Sequence, residues 1–355
     1  MKLKIAVFYG GKSAEHEVSV HSAETVGSLL SPEKYQVFPV YVTREGKWLL
    51  QKECGRTDDP APEVSPVLHG GFHLNTGGGP LALDAAFPVI HGPLGEDGTL
   101  QGLFEQMDLP YAGCGVTASA IGMDKEISKR LAALAGLPVL EHIAASRPDC
   151  DFSALEKKAA KMGWPVFVKP AALGSSVGVT RADSPEKLRQ AVEYAFKFDT
   201  RVMVEKAVDN AREIVCGVLG EGASTRASAC GEVKPSHEFY DYNAKYIDPD
   251  GMKLSIPAEI SEETVSAIRK QSVDFFRAIG GSGLARIDFL MDKSGRHYFC
   301  EINTIPGFTS HSLYPRLWQA AGVEPAALVD ELIALALARA KERRGLLLKP
   351  DHAVC

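Results

Sequence analysis

No uninterrupted apolar stretch in this chain approaches the about 18 residues that a membrane-spanning helix needs. No Lys/Arg-rich run or basic aromatic stripe occurs, and the formal net charge is −6, so a nucleic-acid surface is not expected. Cysteine is sparse: 7 residues, at 54, 114, 150, 216, 230, 300 and 355, odd in number and without CxxC spacing. That excludes a zinc ribbon or redox dithiol and fits reduced thiols in a cytoplasmic protein. The single HxxxH, His69 to His73, encloses Gly70-Gly71, which breaks the helix a zinc pair needs. No P-loop is present, and the Gly10-Gly11 turn lacks the GxGxxG pattern. The two lysines ahead of Ile5 to Tyr9 superficially evoke a signal peptide. The apolar run stops at Gly10-Gly11, short for a signal core, and reads as a first buried strand.

What is present is ordinary globular material, 45% hydrophobic and 24% charged, in 355 residues that predict two or three domains. The first third reads as strand Ile5 to Tyr9, helix Val18 to Leu30, strands at Tyr35 to Val42 and Trp48 to Leu50, and strand Asp84 to Ile90. Residues 53–80, rich in Gly and Pro, predict an exposed excursion. A helix to about Met107 and another over Asp124 to Ala135 follow, the second stopped by Gly136-Leu137-Pro138. Further on, Phe152 to Met162 and Ser184 to Phe196 read as helices, and Val166 to Lys169 and Arg201 to Lys206 as strands. Ile214 to Leu219 and Ser228 to Val233 suit an antiparallel pair. Residues 234–256 are polar and irregular, a candidate lid. An amphipathic helix over Pro325 to Arg344 ends the pattern.

Chemistry concentrates in a few places. Leu284–Leu290 and His297–Asn303, joined by Asp292–Arg296, read as a hairpin. Side chains alternate along strands, so Arg286 shares a face with Asp288, and Glu301 with Asn303. If those faces coincide, hard oxygen ligands suited to Mg²⁺ and phosphates converge there. A surface hairpin with an Arg286–Glu301 ion pair is the plainer alternative. Lys169 ends a strand just before Gly174-Ser175-Ser176-Val177-Gly178, whose small residues let backbone N–H groups approach phosphate. That loop also matches the GxSxG elbow, but no helix opens after Ser176, as a nucleophile there requires. Glu205-Lys206-Ala207-Val208 could be a solvated strand end or a hinge reading an adenine edge, with Glu213 reaching ribose. Cys216, Cys230 and Cys300 read as buried packing residues.

Taken together, GGKSAEHEVS (10–19), HGPLGEDGTLQG (91–102), MDK (123–125), KPAALGSSVG (169–178), YDYNAKY (240–246), ARIDF (285–289) and EINTIPGFTSHSLYP (301–315) closely resemble the D-alanine–D-alanine ligases of the ATP-grasp superfamily. The resemblance spans about Lys4 to Ile333. It implies an α/β, three-domain ATP-grasp fold: an N-terminal open α/β domain (1–121) for the first D-alanine, a central subdomain (122–209), and a C-terminal subdomain (210–355) with metal site and lid. It implies that Glu15, linked to Ser175 and Tyr246, orients the first D-alanine's ammonium, and that His91 helps hold its carboxylate. Lys125, Lys169 and Lys245 would contact ATP phosphates, and Glu205, Lys206, Val208 and Glu213 its adenine and ribose. Asp288, Glu301 and Asn303 would bind two Mg²⁺ or Mn²⁺ ions. Arg286 and the N–H of Gly307 would stabilise an oxyanion, with Ser312 and Leu313 on the second D-alanine's carboxylate. A homodimer without nucleic-acid or membrane partners is implied as well. Asn243 and Ala171-Ala172-Leu173 depart from the family pattern.

Overall fold

The structure is a computed structural model. It describes residues 1–58, 60–68, 73–75, 80–235 and 252–347. Lys245, Tyr246 and Asn243 of the expected lid, His69 of the HxxxH pair, and Cys355 lie outside the described residues.

The chain opens with β1 (Leu3–Gly10), α1 (His16–Leu29), β2 (Tyr35–Val42) and β3 (Trp48–Leu50). β1 lies between β2 and β7 (Ala85–Pro88), parallel to both, with β3 antiparallel at the edge. A parallel strand covered on both faces reads as a continuous apolar run, which is why Ile5–Tyr9 does not alternate. The described part of residues 53–80 is largely exposed, as expected, and carries secondary structure of its own. Within them β4 (Ser65–Val67), β5 (His73–Asn75) and β6 (Pro80–Ala82) make a small antiparallel sheet, and Val64 is buried. Strands of three residues are too short to show a period. Then come α2 (Thr99–Gln106), α3 (Val116–Met123) and α4 (Lys125–Leu134). The Asp124 carboxylate caps α4 by accepting from the N–H groups of Glu126 and Ile127.

β8 (His142–Ser146), α5 (Phe152–Met162), β9 (Val166–Pro170), β10 (Thr180–Ala182), α6 (Pro185–Ala195) and β11 (Arg201–Lys206) form a second layer pair. Its antiparallel sheet runs β10-β9-β11-β8. Val166, Val168, Val202 and Val204 pack with α5 and α6. Strand alternation therefore turns Phe167, Lys169 and Glu205 to the opposite face.

The third sheet, also antiparallel, is built from β12 (Arg212–Glu221), β13 (Arg226–Pro235), β14 (Met252–Ser255), β15 (Ser282–Met291) and β16 (His297–Asn303), in the order β14-β13-β12-β15-β16. β14 falls inside the segment expected to be irregular, and pairs with the end of β13. α7 (Glu262–Ala278), which the apolar pattern does not announce, covers one face through Ile268, Phe275 and Phe276. Its local signal is Ser261, which caps it, followed by Glu262 and Glu263 in the first turn. Ile214, Cys216, Val218, Cys230, Ile287 and Phe289 lie in that core, so Glu213, Arg286 and Asp288 take the other face. α8 (Leu313–Ala320) precedes α9 (Pro325–Arg344). α9 buries Leu328, Val329, Leu332 and Ile333 among β1 and α1 residues, far from its neighbours in sequence. Among the described residues no helix is long and apolar enough to cross a membrane.

Candidate active site

The second sheet's face opposite α5 and α6 and the third sheet's face opposite α7, with the start of α1, enclose a cavity of about 1040 Å³. It is lined by Lys125, Lys169, Gly174 to Val177, Glu205, Lys206 and Val208 from one side, and by Glu213, Arg286, Asp288, Cys300, Glu301, Gly307, Ser312 and Leu313 from the other. Residues as far apart in sequence as Glu17 and Leu313 thus share one space.

The β15–β16 hairpin forms as the alternation predicts. Arg286 stands opposite Asn303, and Asp288 opposite Glu301, so the four side chains do share a face. Within the set, Arg286 forms an ion pair with Asp288. Its Nε and Nη2 donate to both Asp288 oxygens at 2.7 Å, while Lys125 Nζ lies 3.1 Å from Glu301 Oε2. Asn303 Nδ2 donates to Asp288 Oδ2 at 3.2 Å, so its amide oxygen is the atom suited to a cation. A register shift follows the Asp288–Glu301 pair, and Cys300 is the extra residue. That bulge brings Cys300 to the cavity wall, half-buried, rather than into the core as the sequence suggested. Burial pushes its thiol up to about 11, which favours the protonated form over the nucleophilic thiolate.

No group of three or more His, Cys, Asp or Glu able to hold a metal occurs among the described residues. Two carboxylates and an amide instead make an incomplete shell of hard oxygen ligands. That donor set fits Mg²⁺ or Mn²⁺ whose remaining positions are filled by substrate phosphates and water.

The Gly174–Gly178 loop links antiparallel β9 and β10, so it is a hairpin tip and not a strand-to-helix elbow. Ser176 is therefore no hydrolase nucleophile. Ser175 and Ser176 both take left-handed φ values, 53° and 57°, a costly state that tight contacts must hold. One such contact is visible: Ser175 Oγ donates to Glu15 Oε1. The Ala171–Leu173 stretch is held by its backbone. Lys125 N–H donates to Ala171 O at 2.8 Å, Ala172 N–H to Asp199 Oδ2 at 2.8 Å, and Lys125 Nζ to Leu173 O at 2.6 Å. Apolar side chains there leave this support intact.

Glu15 itself stands at the N-terminus of α1. Gly92 has φ +80°, and a Cβ there would lie 2.7 Å from Glu15 Oε2. Gly92→Ala is expected to cost about 1–2 kcal/mol from the left-handed backbone alone and to displace Glu15 as well. Denaturant unfolding checks the first effect, and an activity loss beyond the stability loss checks the second.

His91 is buried and does not line the cavity. Its Nδ1 donates to Ile305 O at 2.9 Å, and its Nε2 is 3.0 Å from Ser22 Oγ, which also accepts from the Phe308 N–H at 3.2 Å. Burial opposes the charged ring, yet Glu96 and Glu15 nearby outweigh it and raise the His91 pKa above its ordinary value. Ser22, which no sequence motif singles out, thus ties α1 to the Gly307–Phe308 loop. Its only trace is a serine one helical turn after Ser19 on the same face.

Glu205 is buried, with Lys169 Nζ 2.6 Å from Oε2 and Lys129 Nζ 2.6 Å from Oε1. Burial disfavours its charge, but Lys129 and then Lys169 pull its carboxyl down to about 2. Its side chain is thereby committed to lysines, and the backbone is what remains for a ligand. Lys206, Val208 and Glu213 follow along the crossing from β11 to β12. Ser312 N-caps α8 in sequence position and accepts from the Thr309 N–H at 2.9 Å.

Two family models match the chain: D-ala D-ala ligase N-terminus over residues 4–114, and D-ala D-ala ligase C-terminus over 131–334. The D-alanine–D-alanine ligase of Thermoanaerobacter pseudethanolicus is 43% identical, with 96% of this chain and 98% of that one covered. The D-alanine–D-alanine ligase A of Bradyrhizobium diazoefficiens is 40% identical, with coverage of 97% and 98%. Among solved structures, the VanG D-Ala:D-Ser ligase from Enterococcus faecalis superposes with a TM-score of 0.85 at 35% identity, covering 95% of this chain and 100% of that one. The D-alanine–D-alanine ligase from Coxiella burnetii gives a TM-score of 0.85 at 32% identity, covering 97% and 96%. With both family models matched in order and relatives this similar over nearly the full length, the chain belongs to the D-alanine–D-alanine ligase family.

Proposed function

We propose that this chain joins two D-alanines at the expense of ATP, giving D-alanyl-D-alanine for peptidoglycan precursors. The observation that carries the reading is one cavity lined by Lys125, Lys169, the Ser175 loop, Arg286, Asp288 and Glu301, with Asn303 bonded to Asp288 and Glu15 to Ser175. In the first step a carboxylate oxygen of one D-alanine attacks the γ-phosphorus, and ADP leaves. In the second, the deprotonated amine of the other D-alanine attacks the acylphosphate carbon, and phosphate leaves. Phosphoryl transfer demands positioning and charge neutralisation more than covalent chemistry. Lys125 and Lys169 supply that charge, and Lys245 is a third candidate. Two Mg²⁺ or Mn²⁺ ions held by Asp288, Glu301 and Asn303 would neutralise further phosphate charge when bound.

Glu15 receives the first ammonium, with Ser175 fixing its carboxylate and Tyr246 completing that group. His91 reaches the first substrate's carboxylate by exchanging its Ser22 bond for one to substrate. The backbone near Glu205 and Lys206, the Val208 side chain and Glu213 hold adenine and ribose. Arg286 and the Gly307 N–H face the oxyanion of the tetrahedral adduct. Ser312 and Leu313 open α8, and a helix N-terminus suits the second carboxylate. We assign residues 1–121, 122–209 and 210–355 to three domains, with the nucleotide between the latter two, in a cytoplasmic homodimer.

Phosphate release with ATP, Mg²⁺ and D-alanine, followed by product identification, tests this. D-alanyl-D-alanine is the expected product. A preference for D-lactate or D-serine as acceptor would replace it with a different ligase, the D-serine case being the activity for which the Enterococcus faecalis neighbour is named. No D-alanine-dependent phosphate release would leave only a nucleotide-binding protein.

A further inference from the structure

Lys129 is 0% exposed, a state in which a lysine is costly unless its charge is paired. It lies on α4, one turn beyond Lys125, and does not line the cavity. Its ammonium is 2.6 Å from Glu205 Oε1 and donates to the Phe299 carbonyl at 2.8 Å. The other oxygen of Glu205 meets Lys169 at 2.6 Å, and Lys169 does face the cavity. One carboxylate therefore sits between two ammonium groups, one sealed behind it and one in front. Phe299 belongs to β16, two residues before Glu301, so the same lysine also ties the second sheet to the strand carrying the metal-site carboxylate.

We infer that Lys129 is a positioning residue for the nucleotide. By neutralising Glu205 from behind, it leaves the charge of Lys169 uncancelled toward the phosphates. Without Lys129, Glu205 and Lys169 form a neutral pair, and the wall loses a net positive charge where water is scarce and charge counts most. The inference rests on reading this cavity as the nucleotide site.

ATP binding to the full chain, measured by calorimetry without D-alanine, tests it in two backgrounds. Lys129→Met is expected to weaken binding about tenfold, the equivalent of about 1.4 kcal/mol. In the Glu205→Gln background the same change is expected to alter affinity by less than about twofold, because a fully buried lysine without a carboxylate partner does not keep its charge and no carboxylate remains to cancel Lys169. A merely structural lysine would lower the melting temperature and cost affinity equally in both backgrounds, and that result overturns the inference. So does an unchanged affinity in Lys129→Met. If that variant does not fold, the Glu205→Gln comparison decides alone, since Lys129→Met there removes a buried amine that no longer has a carboxylate to neutralise. A tenfold loss in that background refutes the role. A wild-type chain that binds no ATP removes the nucleotide reading itself, and this inference with it.

Discussion

Glu301→Gln is expected to lower kcat by about 100-fold or more while leaving the fold intact. The substitution keeps the shape of the side chain and removes its charge, both toward a divalent cation and toward Lys125, 3.1 Å away. The hairpin does not depend on that charge, since Glu301 projects to the cavity while Phe299 and Ile302 hold the core. Initial rates across a Mg²⁺ titration check this, with unfolding as the control. A near-normal kcat at an unchanged Mg²⁺ requirement would remove Glu301 from the metal site.

Arg286→Ala is expected to reduce kcat by about 10²- to 10³-fold, the scale for losing an oxyanion donor, with a smaller effect on the KM values. The bidentate bond to Asp288 makes a second account available: Arg286 could act only by holding Asp288 in place for a cation. The two accounts separate on metal. If Arg286 merely orients Asp288, excess Mg²⁺ restores most of kcat. If it stabilises charge that develops during the reaction, saturating Mg²⁺ leaves the deficit in place. An effect confined to KM would deny both.

Much of the fold is legible along the chain because burial writes a period into it. Tyr35–Val42, Phe152–Met162, Arg201–Lys206 and Pro325–Arg344 fall where the pattern puts them. α7 escapes because its buried positions, Ile268, Ser272, Phe275 and Phe276, leave a sparse apolar stripe. β14 escapes because four residues at a sheet edge carry too few positions to show alternation. The bulge at Cys300 is invisible for a different reason: it depends on how β16 pairs with β15, not on either strand alone.

The site divides along the same line. Residue types and local spacing are enough to nominate Arg286, Asp288, Glu301 and Asn303, because period-two alternation is a property of a strand in isolation. They are also enough to discount Ser176, because an elbow needs a helix directly after it. Partnerships are another matter. That Lys125 meets Glu301, that Ser22 joins His91 to Phe308, and that Lys129 stands behind Glu205 all depend on sheet register and on helix-to-sheet packing. Those distances are set by contacts between segments far apart in sequence, and only the folded chain contains them.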